Sequence, residues 1–392
     1  AGAAVGLRWT HQPVVPFIPE LRSTPLQIVP VFDYDVVVTD EQLSRVLTKL
    51  QPRLAGDKTK INSLDHALRF WGTNTKFTQK DSPSGAEMRR ILVDNERFVK
   101  LYGKAGEEKP LLIDTPDGVR VRTAENEMSA SHVDHTVASL AEVGTPLNFP
   151  IQTPERITTY RAMVDHALRS FKTNQVEYEW TAMTFALFMP PHTTWRTVEG
   201  QEMNFDRLAE RMMRQDQPGG VCFGNHRLYS LVLLLRVHEE SPILSDEVHG
   251  KIVAYLREMT ALLVKHQHAD GFWNGNWPSQ KPADSKPTES EAGLDRLSDR
   301  IIATGHALEW WAMVPASLAD ELHPPRAVLA SAGQWIVKTV DSLTDQEIPG
   351  HFTFLSHAGR SLALWRKKFP HEVPLHEPKP AAEETKAAPP KE

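Results

Sequence analysis

The chain holds a single cysteine, Cys222, among 392 residues. No intramolecular disulfide can form, so a small disulfide-stapled scaffold is excluded. A lone thiol suits the cytosol, and it suits equally an exported protein built without disulfides. Apolar runs long enough to cross a membrane, about 18 residues, are missing. Long Lys/Arg runs are missing too, and the formal net charge is −6. Neither a transmembrane segment nor a nucleic-acid partner is therefore expected. The first residue is Ala1 and not Met, and Ala1 to Leu7 are small or apolar. This reads as the stub of a removed signal peptide or anchor. It tips the expectation slightly towards export or membrane anchoring over a cytoplasmic site, with a plain flexible terminus as the bland alternative.

Strand signals are scarce. Hydrophobic residues make up 40% and charged residues 24%, enough apolar material for one large core. Residues 1–40 carry Pro13, Pro16, Pro19, Pro25 and Pro30 and read as an extended arm with one short strand. From Thr39 the pattern becomes helical, with a cap at Thr39-Asp40-Glu41-Gln42 and Leu43, Val46, Leu47 and Leu50 at helical spacing. Further helices are expected near 61–72, 86–103, 131–142, 155–173, 178–188, 203–214, 222–238, 244–267, 294–314, 325–342 and 355–368. One hairpin is expected between Pro110 and Thr123, turning at Pro116-Asp117-Gly118. Residues 278–291 read as a polar surface loop and residues 370–392 as a disordered Pro/Ala/Lys/Glu tail. The helical domain then spans 41–369.

A weak repeat runs through the helices. Leu64-Asp65-His66-Ala67-Leu68-Arg69-Phe70-Trp71, Val133-Asp134-His135-Thr136-Val137, Val164-Asp165-His166-Ala167-Leu168 and Gly305-His306-Ala307-Leu308-Glu309-Trp310 share one pattern. Chance among common helix residues gives such matches. The alternative is a degenerate helical-hairpin repeat whose equivalent helices present His at one end of a barrel.

Gln267-His268-Ala269-Asp270-Gly271-Phe272-Trp273 reads QxxxGxW and resembles the QW motif of squalene and oxidosqualene cyclases. Asp270-Gly271 supplies a helix-ending turn where positive φ is cheap for glycine. The Gln amide can bond helix-end groups of the next hairpin, and the Trp can stack on it. The resemblance implies the α/α toroid of the terpenoid-cyclase and protein-prenyltransferase superfamily: all-α, a closed ring of antiparallel helical hairpins. It covers residues 150–370 in pattern. The superfamily's DxDD and DDxxD motifs are absent, and of its zinc-site residues only Cys222 and His226 stand together. Gly305-His306-Ala307-Leu308-Glu309 resembles the GHxxE motif of the N-acylglucosamine 2-epimerase group, also helical toroids, which implies a His working as acid or base on a sugar.

His306 and Glu309 are spaced to share a helix face, so Glu309 could orient the imidazole as a general base; the bland reading is a capping His and a core pair. Cys222 and His226, four apart, make zinc the candidate cofactor, against a structural Cys beside a hydrogen-bonded His. His132, Asp134 and His135 could hold a metal or simply begin a helix. Glu177 and Glu179 beside Trp180 could line a sugar cleft, with at most one of the two pointing inward. Arg360, beside His357, could face the cavity and hold an anion.

The expected site is a central cavity lined by His66, His135, Trp180, Trp273 and His357, with His306 and Glu309 as the acid–base pair and Cys222 and His226 as metal ligands. Such a cavity suits a glycan, lipid or other small-molecule ligand. Three function classes stay open: a cyclase-like enzyme or binder, an acid–base sugar epimerase or other glycan-active enzyme, and a non-catalytic module that engages a protein partner.

Overall fold

The computed structural model describes residues 18–53, 60–79, 82–102, 109–123, 125, 128–215, 221–275, 277 and 297–376. The expected N-terminal stub and the 278–291 loop lie outside them, as does the tail from 377 onwards. The protein is mostly helical, with only short strand pairs. The helices are α1 (Asp40–Lys49), α2 (Ile61–Trp71), α3 (Gly85–Val93), α4 (Asn95–Tyr102), α5 (His135–Glu142), α6 (Arg161–Ser170) and α7 (Tyr178–Phe188). They continue as α8 (Phe205–Met213), α9 (Asn225–Glu240), α10 (Asp246–His266), α11 (Leu297–Ala312), α12 (Ala319–Leu322), α13 (Arg326–Ser342) and α14 (Ile348–Leu364).

Strands β1 (Leu112–Thr115) and β2 (Gly118–Val121) form the hairpin anticipated at Pro116-Asp117. Strands β3 (Pro150–Gln152) and β4 (Ile157–Thr159) pair antiparallel, as do β5 (Trp195–Arg196) and β6 (Glu202–Met203). Residues 155–160, expected to be helical, are thus partly strand. Asp94 is extended and divides α3 from α4; its carboxylate accepts from the Arg97 amide and starts the second helix. Pro349 stands in the first turn of α14, where a missing N–H is harmless, so that helix starts before the expected 355.

Burial separates the helices into two kinds. On α1, α8, α10 and α13 the buried residues follow three- and four-residue spacing along one face, as in Leu329, Ala332, Gly333, Ile336, Val337 and Val340. By contrast, α5, α7, α9 and α11, and the relevant stretches of α2 and α14, are buried around their circumference. These six pack in a circuit: α2 on α5, α5 on α7, α7 on α9, α9 on α11, α11 on α14, and α14 back on α2. The amphipathic helices lie outside, α13 on α11, α8 on α9, α10 on α8 and α1 on α13 and α14.

Residues 18–38 of the arm run across the C-terminal ends of this circuit. Among its described residues the arm makes one isolated bridge, Asp33 with Arg366, and no strand. Its amides donate to the last carbonyls of the inner helices: Arg22 to Phe188 at 2.8 Å, Leu26 to Leu187 at 3.0 Å and Tyr34 to Trp365 at 2.7 Å. Helix C-terminal carbonyls lack intrahelical partners, so a chain laid over them satisfies groups that burial would otherwise strand. Phe32, Val37 and Val38 of the arm are buried.

The tail is ordered further than its composition suggests. Pro370 and Val373 are buried, Ser44 donates to the Pro374 carbonyl at 2.6 Å, and the His376 amide donates to Thr48 at 2.8 Å. The two hydrogen bonds tie this segment to α1, while residues 370–372 pack on α2 and α14. No helix among the described residues is long and apolar enough to cross a membrane.

Candidate functional site

Six aromatic rings, one from each inner helix, form a closed circle at the centre. His66 stands 4.5 Å from His135 (centroid to centroid), His135 4.3 Å from Trp180, and Trp180 4.6 Å from His226. His226 is 5.0 Å from His306, His306 3.9 Å from His357, and His357 5.2 Å from His66. All six side chains are buried.

Each helix turn carries the chain from this circle into a second, charged layer. Three residues after His66, His226, His306 and His357 come Arg69, Tyr229, Glu309 and Arg360. These four meet one another, so the four helices run in the same direction. Arg69 Nη1 donates to Glu309 Oε1 at 2.8 Å, and Arg360 donates to the same oxygen. Glu142, at the end of α5, accepts from Arg69 Nε at 2.6 Å, Tyr229 Oη at 2.6 Å and Arg360 Nη2 at 3.2 Å. Two guanidinium groups thus face two carboxylates, which is the condition for burying all four. Burial alone would raise the Glu309 carboxyl, but Arg69 and Arg360 hold it well below the ordinary range.

The charged layer fixes the histidines. Glu309 Oε2 accepts from His306 Nδ1 and from His357 Nδ1, each at 3.1 Å. Asp65 accepts from His135 Nδ1 at 2.9 Å and from Thr136 at 2.6 Å. Glu177 accepts from His226 Nδ1 at 3.1 Å and from His132. A carboxylate only accepts, so Nδ1 carries a proton in each ring. Nε2 of His135, His226, His306 and His357 is buried with no hydrogen-bond partner. Burial pushes His306 and His357 below the ordinary imidazole value and His226 down to about 3. These rings are neutral at pH 7. His66 differs, since its Nδ1 donates to the Asn62 carbonyl at 2.7 Å.

The outer edge of the circle lies between the starts of α7 and α9. Glu177 precedes α7 with φ of +57°. Burial opposes ionisation of its carboxyl, yet the hydrogen bonds from His132 and His226 outweigh that and bring it down to about 2. Cys222, Phe223 and Gly224 precede α9 with φ of +49°, +57° and +73°. Two consecutive non-glycine residues in the left-handed region cost about 1 kcal/mol or more each. Cys222 is half-buried, and burial raises its thiol, with Glu177 and Glu309 adding to the effect. It lies two residues before Gly224, the N-cap of α9, and not on the helix.

A pocket of about 300 Å³ opens to this edge, lined by Asn174, Gln175, Glu177, Glu179, Arg211, Gln215, His226 and Arg227 among others. Glu179 is buried, its Oε2 has no hydrogen-bond partner, and Arg227 stands 3.7 Å from Oε1. Burial pushes the Glu179 carboxyl up to about 7. Of two carboxyls in one pocket, Glu177 is therefore ionised and Glu179 exchanges its proton near neutral pH.

No family model, curated protein or solved structure matches the chain.

The residues singled out in the sequence fall into two groups. His66, His135, Trp180, His226, His306 and His357 meet in the circle, with Glu309 directly beneath and Cys222 at its edge. Trp273 lies elsewhere: its indole donates to the Leu263 carbonyl at 2.8 Å and packs edge-on against Trp311 at 5.7 Å. Its partner Gln267 donates to the Val328 carbonyl at 2.9 Å, tying α10 to the start of α13. The HxDH residues diverge, His132 to Glu177, His135 to Asp65, and Asp134 to Thr181. His166, the remaining member of the repeat, lies on α6 and contacts Thr115 at 3.1 Å. Arg69, Glu142, Tyr229 and Asp65 escaped the sequence reading. The signal that finds three of the four is position: Arg69 and Tyr229 follow a circle histidine by three residues, and Asp65 precedes one.

Proposed function

We propose that this chain is an α/α toroid and an enzyme. It takes a small polar ligand, of sugar type, through the pocket between the starts of α7 and α9. Support for the toroid comes from the circuit of six inner helices, each buried all round, with amphipathic helices outside. That arrangement agrees with the architecture implied by the resemblance to terpenoid cyclases and prenyltransferases. The ligand class follows from the lining. Amides, carboxyls and guanidinium groups hydrogen-bond hydroxyls well, whereas a hydrocarbon would leave them unsatisfied.

One observation carries the catalytic reading. Glu179 is a buried carboxyl that lines the pocket, keeps one oxygen without a hydrogen-bond partner, and is pushed by burial up to about 7. A proton carrier works best when it exchanges its proton near the working pH. We assign proton transfer to Glu179; His306 and Glu309 stand one layer behind, where the two arginines keep Glu309 ionised.

The test is proton exchange. The full chain is incubated in D2O with a panel of aldoses, ketoses and uronic acids, and deuterium entry next to the carbonyl is followed by NMR. We expect exchange with at least one member and a loss of about 100-fold or more in Glu179→Gln. Exchange that survives the substitution removes Glu179 from the role. No exchange across the panel removes the acid–base sugar reading.

A further inference from the structure

The circle contains more free basic nitrogen than proton transfer at Glu179 uses. Three of its atoms stand apart from the rest. Sγ of Cys222, a ring nitrogen of His226 and a ring nitrogen of His306 lie within 4.8 Å of one another. His226 and His306 are 4% and 2% exposed, so water does not satisfy their Nε2 atoms from outside. A buried acceptor without a partner costs about 1–3 kcal/mol, and the two rings beside Cys222 carry one each. Something with vacant orbitals removes that cost.

We propose that Cys222, His226 and His306 bind a zinc ion, with one coordination position left towards the pocket. Sulfur with two imidazoles is a donor set for Zn²⁺ and not for Mg²⁺ or Ca²⁺, which take oxygen. Glu177 behind His226 and Glu309 behind His306 supply the carboxylates that orient metal-bound imidazoles and fix the tautomer with Nε2 free. Three protein ligands and an open position is the arrangement of a reactive zinc centre, where bound water or a ligand oxygen is polarised. His226 and Gly224 also line the pocket, so the open position borders the space in which Glu179 works.

A second cluster, His306, Glu309 and His357, is equally compact. It is the poorer site, because Arg69 and Arg360 already donate to Glu309 and their two positive charges repel a divalent cation. Ligation by Cys222 also gives the left-handed backbone from Cys222 to Gly224 a purpose: it turns the sulfur towards His226 from outside the helix.

The experiment uses the full chain, stripped with a chelator and then titrated with Zn²⁺ or Co²⁺. Cys222 is the sole cysteine, so a thiol reagent reads this position alone. We expect about one metal per chain and a sulfur-to-cobalt charge-transfer band. With zinc at 100 times Kd, thiol labelling should slow about a hundredfold. His306→Gln should abolish binding, and His357→Gln should keep it, with circular dichroism checking that both fold. Absence of binding overturns the proposal. So does metal binding without the sulfur band and without thiol protection, or loss of metal in His357→Gln alone. None of these readouts depends on turnover, so a failure here leaves the Glu179 reading to its own test.

Discussion

Glu179 and Glu177 stand two residues apart and are driven in opposite directions. Glu177 receives two imidazole donors and is held at about 2, whereas Glu179 is enclosed with one free oxygen and rises to about 7. The consequence for stability has a definite sign. The folded protein holds the Glu179 proton more tightly than the unfolded chain, whose carboxyl titrates near 4.5. The stabilisation is complete below pH 4.5 and is lost as the pH climbs to about 7, a fall of roughly 3 kcal/mol. Glu177 acts only below its ordinary 4.5, outside that window. Urea midpoints at pH 5 and pH 7.5 should therefore differ in the wild type by more than in Glu179→Gln, which has no such proton to lose. Equal shifts in both proteins would mean that the carboxyl is not buried as described. From sequence, Glu177 and Glu179 were legible as a candidate pair of which at most one points inward, whereas both line the pocket, because Glu177 precedes α7 in a left-handed turn. Their opposite shifts were not, because they depend on which histidines approach: His132 from the turn before α5 and His226 from α9.

At the scale of elements, the closest inner contact is between α11 and α14. A Cβ at Gly305 would lie 2.8 Å from the Ala358 amide nitrogen. The glycine of the Gly305-His306-Ala307-Leu308-Glu309 motif is thus explained by helix packing, and it brings His306 beside His357. Gly305→Ala should destabilise the protein by roughly 2–3 kcal/mol through overpacking, even though alanine is the better helix former. Thermal unfolding of this variant measures the balance; a stabilised protein would show that the two helices are free to separate. Gly271 plays the same part in the QxxxGxW segment, with φ of +101° and the Ser331 carbonyl oxygen 2.3 Å from a would-be Cβ. Helix positions were readable from periodicity for most of the chain. The break at Asp94 was not, since it follows from a bridge to Gln152, far along the sequence.

For the whole molecule, the arm and the circle occupy opposite ends of the inner helices. Residues 18–38 cover the C-terminal carbonyls, while the pocket enters near the starts of α7 and α9. Removal of the arm would expose Phe32, Val37 and Val38 and strip partners from Phe188, Leu187 and Trp365. A chain truncated before Thr39 should lose on the order of 5 kcal/mol from those three side chains alone. The expected outcome is insoluble or partly unfolded protein, read by soluble yield and by dye binding to exposed apolar surface. A truncated protein with unchanged melting temperature would make the arm an appendage.

The sequence by itself determined the helical character, the hairpin at Pro116-Asp117, the arm, and the recurrent histidine that marks α2, α5 and α11. These are local properties, set by spacing, turn chemistry and proline within a few residues. It also carried the candidate histidines, because a His in an apolar helix is conspicuous. Tertiary structure decided which of them meet, that Trp180 and not a seventh helix completes the circle, and that Arg69 finds Glu309 240 residues away. It left His166 outside and joined Cys222 to His306, a residue that the sequence had set in a different role. The reason is that a ring of helices closes through contacts between distant segments, and the rotation of each helix about its own axis is fixed only when its neighbours are in place.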